Sequence, residues 1–159
     1  MAALDLDLTD LEATIRLGTA LARRVRVGDV IALHGDLGAG KTELARAIIR
    51  AATGDDELIV PSPTFTLVET YDTSRGTIWH FDLYRIDRPD QVWELGLEEA
   101  LADGVTLIEW PQRLGDMVPA QRLDLTLHIA DGDARRATLS VDATWAGRIE
   151  ALAAEVAHG

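Results

Sequence analysis

Hydrophobic and polar positions alternate along the chain with periods that predict a series of helices and strands. In the first third, apolar residues at helical spacing predict a helix over residues 11–24, with Thr9 or Asp10 as its N-cap. A continuous apolar run at residues 30–33 is typical of a buried strand, and the helical pattern returns at residues 43–52. This order of helix, strand and helix predicts an α/β fold.

Two hairpins are predicted further along, because strand-favouring residues lie on both sides of short polar turns. Their strands are residues 65–72 with 77–84 and residues 123–129 with 135–141. Between the hairpins, residues 89–101 have the pattern of one or two short helices broken near Gly96, and residues 105–108 form a second apolar run. A closing helix is predicted over residues 144–156. The sheet is therefore expected to be mixed, with parallel crossovers and antiparallel hairpins.

Length and composition narrow the class of protein. With 159 residues, 47% of them hydrophobic and 26% charged, the chain is expected to form a single globular domain. It has no cysteine, which excludes disulfides, thiolate metal sites and cysteine nucleophiles. No apolar run is long enough to cross a bilayer, and the first residues do not have the pattern of a secretory signal. We therefore expect a soluble cytoplasmic protein without a membrane partner.

The net charge of −12, from 27 acidic and 15 basic residues, argues against a protein that binds nucleic acid by itself, and DNA is not an expected partner. Lys41 is the only lysine among those basic residues, which indicates that position 41 requires a compact, flexible ammonium. The densest basic group comprises Arg16, Arg23, Arg24 and Arg26. A solvated helix face is the favoured interpretation of this group, and contact with a partner or with RNA is the alternative.

Residues 35–42, GDLGAGKT, contain the complete phosphate-loop motif GxxxxGK[ST], between a predicted strand and a predicted helix. Glycines let the backbone curl so that successive N–H groups face a phosphate, and the helix N-terminus adds its dipole. Lys41 is a predicted catalytic residue that neutralises the β- and γ-phosphates, and the Thr42 hydroxyl is a predicted Mg²⁺ ligand. The predicted nucleotide-binding residues are Asp36, Leu37, Gly38, Ala39, Gly40, Lys41, Thr42 and Glu43. The motif predicts a nucleotide site in a three-layer fold like that of P-loop NTPases.

Two acids are candidates to complete this site. Glu109 follows the second buried strand, at the end where open α/β sheets bind ligands, and is predicted to reach Mg²⁺. A solvated acid at a strand end is the alternative for Glu109. Strand alternation places Asp82 on one face with His80, which favours an acid that positions water or is linked to Mg²⁺. The alternative for Asp82 is a half-exposed hairpin whose polar residues face water.

Thr64 lies between the phosphate-loop helix and the first predicted hairpin, in the sequence SPTF at residues 62–65. In P-loop switches, a hydroxyl in such a loop senses the γ-phosphate. The alternative is a rigid turn held by Pro61 and Pro63, in which Thr64 only begins a strand.

Five blocks of sequence resemble the bacterial TsaE (YjeE) family in order and spacing. They are GDLGAGKTELARAI at 35–48, SPTFTLVETY at 62–71, HFDLYR at 80–85, ELG at 94–96 and IEWP at 108–111. The sequence TIRLG at 14–18 is also similar to the N-terminal helix of that family, whereas the C-terminal part of the chain matches only loosely. HFDLYR and IEWP are far more specific to the family than the phosphate loop.

The resemblance implies a slow, Mg²⁺-dependent ATPase that assists formation of N6-threonylcarbamoyladenosine next to the anticodon of tRNA. The partners it implies are the TsaD and TsaB proteins, with tRNA reached indirectly through their complex. The family pattern implies that Thr42 and Glu109 ligate Mg²⁺ and that Asp82 is needed for hydrolysis. It also implies that Thr64 lies in a switch-like loop and that Trp110 lies in a segment that responds to nucleotide.

For the adenine, the resemblance implies contacts from the N-terminal helix region, near Leu11, and from the late hairpin turn at Gly132. The acidic net charge fits a protein that engages a protein pair carrying the tRNA.

Two other functions stay open from the residues alone. One is a small nucleoside or metabolite kinase, although the sequence has no arginine-dense lid segment. The other is a nucleotide-sensing binding module whose slow hydrolysis is incidental. Phosphate transfer to an acceptor molecule would identify a kinase. Support of tRNA modification by a variant that does not hydrolyse nucleotide would identify a nucleotide-sensing module.

Overall fold

A seven-stranded mixed sheet forms the centre of the protein. The computed structural model describes residues 2–158, and the side chains of residues 3–157. The strands are β1 (Ala2–Leu8), β2 (Val30–His34), β3 (Val68–Thr73), β4 (Gly76–Asp82), β5 (Gly104–Glu109), β6 (Leu123–Ile129) and β7 (Arg135–Val141). In space they lie in the order β1-β7-β6-β2-β5-β4-β3. The predicted mixed α/β class is confirmed.

The central strands β6, β2, β5 and β4 run parallel, whereas both edges of the sheet are antiparallel. β3 pairs with β4 at one edge, and β7 and β1 form the other. In the register of the parallel strands, Glu109 of β5 lies between Leu33 of β2 and Asp82 of β4. The carboxyl ends of three strands therefore meet at one edge of the sheet, where open α/β sheets bind ligands.

Helices cover both faces of the sheet and give the predicted three layers. They are α1 (Leu11–Ala22), α2 (Lys41–Thr53), α3 (Gln91–Glu94), α4 (Leu97–Asp103), a 3-10 helix (Pro111–Met117) and α5 (Ala146–His158). α1, α2 and α5 pack on one face, around a core that includes Leu17, Ile48 and Leu152. α3, α4 and the 3-10 helix pack on the other face, around Phe81 and Val92. Among residues 2–158, no helix is both long and apolar enough to cross a lipid bilayer.

The close packing of α1 against α2 sets the direction of the helix that follows the phosphate loop. A Cβ atom on Gly18 would lie 2.5 Å from the Cβ atom of Ala47, so the two helices approach this closely only because position 18 is glycine. α1 begins after Asp10, whose side chain accepts a hydrogen bond from Ala13 N at 2.8 Å. Asp10 is therefore the N-cap, one of the two residues predicted for that role.

The bounds of one hairpin are predicted correctly, and those of the other are not. β6 and β7 have the predicted bounds, whereas β3 and β4 are shorter than predicted and leave residues 65–67 and residues 83–84 outside the strands. Leu67 has a φ of 70°, a left-handed conformation that interrupts the extended chain before β3. His80 and Asp82 share one face of β4 as predicted, and Tyr84 lies beyond the strand.

β1 and the 3-10 helix are present but are not among the elements predicted from the sequence. In β1, Leu4, Leu6 and Leu8 point to the core, so an alternating pattern of period two was available as a signal. The predicted helices are present with shifted ends: α1 stops at Ala22, α2 begins at Lys41, and α5 begins at Ala146. The shifts are of the size expected where helix ends depend on capping.

Candidate nucleotide-binding site

The phosphate loop joins the end of β2 to the start of α2, as the motif predicts. Gly38 and Gly40 have φ values of 84° and 103°, which glycine adopts without strain. Ala39 N donates to Asp36 O at 3.0 Å and closes a turn within the loop. Because α2 begins at Lys41, its first N–H groups have no acceptor within the helix. The loop and the helix start together form a concavity suited to an anion.

A cavity of about 500 Å³ opens over this loop at the carboxyl edge of the sheet, a volume in the range of small-molecule sites. The structure brings most of the predicted site residues into its lining. These are Leu37, Gly38, Ala39, Gly40, Lys41, Thr42, Glu43, Thr64, Asp82 and Glu109. The remaining lining residues are Ser62, Tyr84, Arg85 and Trp110.

The Lys41 ammonium is held in this cavity by neutral groups. Nζ donates to the carbonyl of Gly35 and to Asp36 O at 3.2 Å, and it lies 3.7 Å from the centroid of the Trp110 ring. Burial lowers the pKa of Lys41, against the attraction of nearby carboxylates, of which Glu109 is the strongest. A buried cation without a directly bonded carboxylate is suited to an anionic ligand.

Glu109 is fixed at both of its carboxylate oxygens. Oε1 accepts a hydrogen bond from Thr42 Oγ1 at 2.8 Å, and Oε2 lies 2.7 Å from His80 Nε2. Glu109 is 2% exposed and His80 is fully buried. Glu109 is therefore not a solvated acid at a strand end, which was the alternative interpretation. His80 Nδ1 has no hydrogen-bond partner within the described part of the chain. We therefore assign Nε2 as the protonated nitrogen that donates to Glu109.

Asp82 links the end of β4 to the segment before β3. Its Oδ2 accepts a hydrogen bond from Thr64 Oγ1 at 3.2 Å, and its Oδ1 accepts one from Tyr84 N at 3.0 Å. Thr64 Oγ1 also lies 2.8 Å from Ser62 Oγ. Asp82 is buried rather than half-exposed, and Thr64 lies ahead of β3 rather than at its start. Both side chains therefore form part of the cavity wall.

Three predicted nucleotide contacts lie outside this cavity. Asp36 lines a neighbouring cavity of about 470 Å³ between the phosphate loop and β6. Leu11 is the first residue of α1 and is half exposed. Gly132 lies in the β6–β7 turn, where its carbonyl accepts a hydrogen bond from Arg135 Nη1 at 2.7 Å. The assignment of these three residues to the nucleotide stays a prediction.

Two arginines at the site, Arg85 and Arg135, have no individual role predicted from the sequence. Arg85 lines the cavity, with its guanidinium 4.8 Å from the centroid of the exposed Phe65 ring. Its place as the last residue of the HFDLYR block is a signal that was available. Arg135 donates to the carbonyls of Gly38 and Ala39 in the phosphate loop. The resemblance points only to its turn, at Gly132, as a contact of the adenine, and the bonds of Arg135 to the loop depend on the tertiary structure.

The basic group at the end of α1 makes contacts within the protein. Arg23 and Arg24 both form ion pairs with Glu155 of α5, at 2.9 Å and 2.8 Å. Arg24 also donates to the carbonyls of Ala20 and Ala151. Part of this group therefore joins α1 to α5.

The donor set at the cavity suits Mg²⁺ better than a softer metal. Thr42 and Glu109 present hydroxyl and carboxylate oxygens, the hard ligands that Mg²⁺ prefers. Among residues 3–157, no three His, Cys, Asp or Glu side chains converge on one point as a separate metal centre. This fits an ion held by one or two protein oxygens together with water and phosphate oxygens.

Comparisons with known proteins agree on one family. The family model for the threonylcarbamoyl adenosine biosynthesis protein TsaE matches residues 8–138, which include the whole lining of the cavity. The tRNA threonylcarbamoyladenosine biosynthesis protein TsaE of Rickettsia felis is 38% identical over 147 residues, covering 92% of this chain and 85% of its own. The protein of the same name from Bacillus subtilis is 34% identical over 130 residues, covering 81% of this chain and 80% of its own. The crystal structure of Bacillus subtilis YdiB is similar with a TM-score of 0.79 and 28% identity, covering 96% of this chain and 95% of that one.

Proposed function

Since the chain belongs to the TsaE family of tRNA threonylcarbamoyladenosine biosynthesis, we propose that it binds ATP in the phosphate-loop cavity and slowly hydrolyses it. The observation that carries the proposal is the convergence of Lys41, Thr42, Asp82 and Glu109 on one cavity at the N-terminus of α2. One cation, one hydroxyl and two buried acids are the groups that phosphoryl transfer to water requires.

The triphosphate is bound by main-chain N–H groups of the loop and of the first turn of α2. Lys41 exchanges its carbonyl and Trp110 contacts for the β- and γ-phosphate oxygens, which are stronger partners for an ammonium because they are charged. This exchange explains why the only lysine of the chain lies here: a compact ammonium fits among the carbonyls, whereas a planar guanidinium would not.

Thr42 and Glu109 would hold Mg²⁺ together with the phosphates. Their side-chain oxygens lie 2.8 Å apart at the mouth of the loop, so little movement is needed for both to face one ion. When bound, Mg²⁺ neutralises charge on the β- and γ-phosphate oxygens. His80 keeps Glu109 in place through its bond to the other carboxylate oxygen.

Asp82 orients the water that attacks the γ-phosphorus. The bond from this phosphorus to the oxygen that bridges the β- and γ-phosphates breaks as the bond to water forms, which yields ADP, phosphate and a proton. Asp82 lies at the carboxyl end of β4, beside Glu109 in the register with β5. Its carboxylate already accepts a hydroxyl hydrogen bond from Thr64, and a water molecule offers the same kind of donor.

The nucleotide state then acts on the TsaB–TsaD pair through two segments that border the cavity. Thr64 is bonded to Asp82, and Trp110 lies over Lys41, so both contacts change when phosphate and Mg²⁺ enter. Beside Thr64, the Phe65 ring is 81% exposed and offers an apolar contact to a partner. Because the chain carries a net charge of −12, tRNA is engaged through the partner proteins rather than directly.

Calorimetry with ATP and Mg²⁺ tests the binding part of the proposal. We expect saturable binding by the unsubstituted protein and its loss in Lys41→Ala and Thr42→Ala, with Thr42→Ser as the control that keeps the hydroxyl. Lys41→Arg should also bind weakly, because it keeps the charge but not the compact head. Unchanged binding in both alanine variants would show that the phosphates bind elsewhere.

Reconstitution with TsaB, TsaD, tRNA, ATP and threonylcarbamoyl-adenylate tests the functional part. We expect multiple rounds of tRNA modification only when the unsubstituted chain is present, with ATP hydrolysed and no phosphorylated acceptor. Phosphate transfer to a small molecule would instead identify a kinase. Multiple rounds supported by a hydrolysis-deficient variant would identify a nucleotide-sensing module.

A further inference from the structure

Arg135, at the start of β7, joins the β6–β7 turn to the phosphate loop with a single side chain. Its Nε donates to Ala39 O at 2.9 Å, and its Nη2 donates to Gly38 O at 3.3 Å. Its Nη1 donates to Gly132 O at 2.7 Å and to Ala134 O at 2.8 Å. Within the residues that the structure describes, all the hydrogen bonds of this guanidinium therefore go to main-chain carbonyls of two loops that are far apart in the sequence.

These bonds set which way the peptide units of the phosphate loop face. In a trans peptide the carbonyl and the following N–H point in opposite directions. With the carbonyl of Ala39 bonded to Arg135, the N–H of Gly40 points away from the guanidinium, and Gly40 lines the cavity. The glycines at 38 and 40 give the loop conformational freedom, so an external contact is needed to hold one arrangement.

We propose that Arg135 is a positioning residue that holds the phosphate loop in its anion-binding conformation before the nucleotide arrives. The proposal rests on the nucleotide site proposed above. A preorganised loop loses less conformational freedom on binding, so the contact raises affinity without touching the reacting atoms.

The charge of Arg135 supports this role over a purely structural one. Within the described part of the chain, no carboxylate lies within 4.0 Å of its guanidinium. The guanidinium therefore forms no ion pair there, and its positive charge adds to the potential that a phosphate meets at the loop. A residue needed only to hold the turn would not require a charge.

The next residue provides a matched control. Arg136 lies on the same strand but points to the other face, where its Nε lies 3.3 Å from Asp7 Oδ1 and both side chains are exposed. Loss of this exposed pair has little effect on stability. Arg135→Ala and Arg136→Ala thus remove the same side chain from adjacent positions of one hairpin, and only the first faces the loop.

Titration with ADP and ATP in the presence of Mg²⁺, together with steady-state hydrolysis, tests the proposal. We expect Arg135→Ala to weaken binding of both nucleotides by about tenfold or more, since two charge-assisted hydrogen bonds to the loop are lost. The effect should fall on affinity and KM more than on kcat, because Lys41, Thr42 and Asp82 are unchanged. Arg136→Ala should bind as the unsubstituted protein does.

Two further variants separate the effect of the charge of Arg135 from that of its hydrogen-bonding geometry, and thermal unfolding tests whether the variants fold. Arg135→Lys keeps the charge but not the fork and should recover part of the affinity, and Arg135→Gln keeps one donor without the charge and should recover less. Thermal unfolding without nucleotide reports whether each variant is folded. Folded Arg135 variants that bind ADP with unchanged affinity would overturn the positioning role alone. Absence of binding by the unsubstituted protein would overturn the nucleotide site as well.

Discussion

Thr42 and Glu109 lie 67 residues apart in the sequence and meet through one hydrogen bond of 2.8 Å, from Thr42 Oγ1 to Glu109 Oε1. The bond joins the first turn of α2 to the carboxyl end of β5, so the hydroxyl and the carboxylate proposed to hold Mg²⁺ are already adjacent. His80 occupies the other carboxylate oxygen. The hydrogen-bonded chain from Thr42 to Glu109 to His80 is preorganised for its ligand, because the hydroxyl and the carboxylate are already adjacent.

Replacement of His80 tests how this chain is held. In His80→Phe the buried Glu109 loses a partner at 2.7 Å, and we expect the free energy of unfolding to fall by about 1–3 kcal/mol and Mg²⁺-dependent hydrolysis to fall with it. His80→Gln keeps a hydrogen-bond donor and should recover part of the free energy of unfolding and part of the hydrolysis. Urea unfolding and phosphate release are the measurements.

His34 provides the control for His80, since it also contacts an acid, Asp124, at 2.8 Å, but with both side chains about a third exposed. His34→Phe should change stability less and leave hydrolysis unaffected, because an exposed pair contributes little. Equal effects at the two histidines would contradict the special role given to the buried pair.

Replacement of Asp82 separates binding from hydrolysis. In Asp82→Asn the side chain keeps its size but loses its charge, so we expect ATP binding to be retained and hydrolysis to fall by at least about a hundredfold. Single-turnover hydrolysis with saturating ATP is the measurement. Asp72→Asn, near the opposite end of the same hairpin, is the control. If Asp82→Asn abolished binding instead, Asp82 would belong to the binding site and not to the hydrolytic step.

Trp110 is expected to report nucleotide binding by its fluorescence. The residue has φ 59° and ψ 49°, an uncommon conformation for a large side chain, and its ring lies 3.7 Å from Lys41 Nζ. When Lys41 turns to the phosphates, the ring loses this cation and its emission changes. Trp110→Phe should abolish the change, whereas Trp93→Phe, on α3, should keep it. A fluorescence change that is lost in Trp93→Phe and kept in Trp110→Phe would mean that the nucleotide does not bind in this cavity.

The lowered pKa of Lys41 predicts a pH dependence of stability in alkaline solution. Burial makes the folded protein release the Lys41 proton at a pH below the ordinary pKa of 10.5, while the unfolded chain still holds it. In that window the unfolded state binds more protons, so the free energy of unfolding rises with pH relative to Lys41→Met, which has no such proton. Urea unfolding of both proteins from about pH 8 to about pH 10 measures this difference, since their other groups titrate alike. A difference that falls as pH rises would have the wrong sign.

The sequence by itself determined the parts of this protein that depend on neighbouring residues. The phosphate loop needs only contiguous glycines, one lysine and a helix start, so residues 35–42 predict it completely. Strand period placed His80 and Asp82 on one face, and the apolar run before Glu109 placed that acid at a strand end. These features follow from backbone geometry over a few residues.

Only the tertiary structure decided which distant groups meet. The strand order brings β5 between β2 and β4, and this order gives Glu109 its two partners, Thr42 and His80. The β6–β7 turn returns beside the phosphate loop, which gives Arg135 its acceptors. Local patterns of hydrophobicity specify that strands form and which face is buried, but many pairings satisfy the same pattern. The choice among them is made by packing of the whole sheet and its helices.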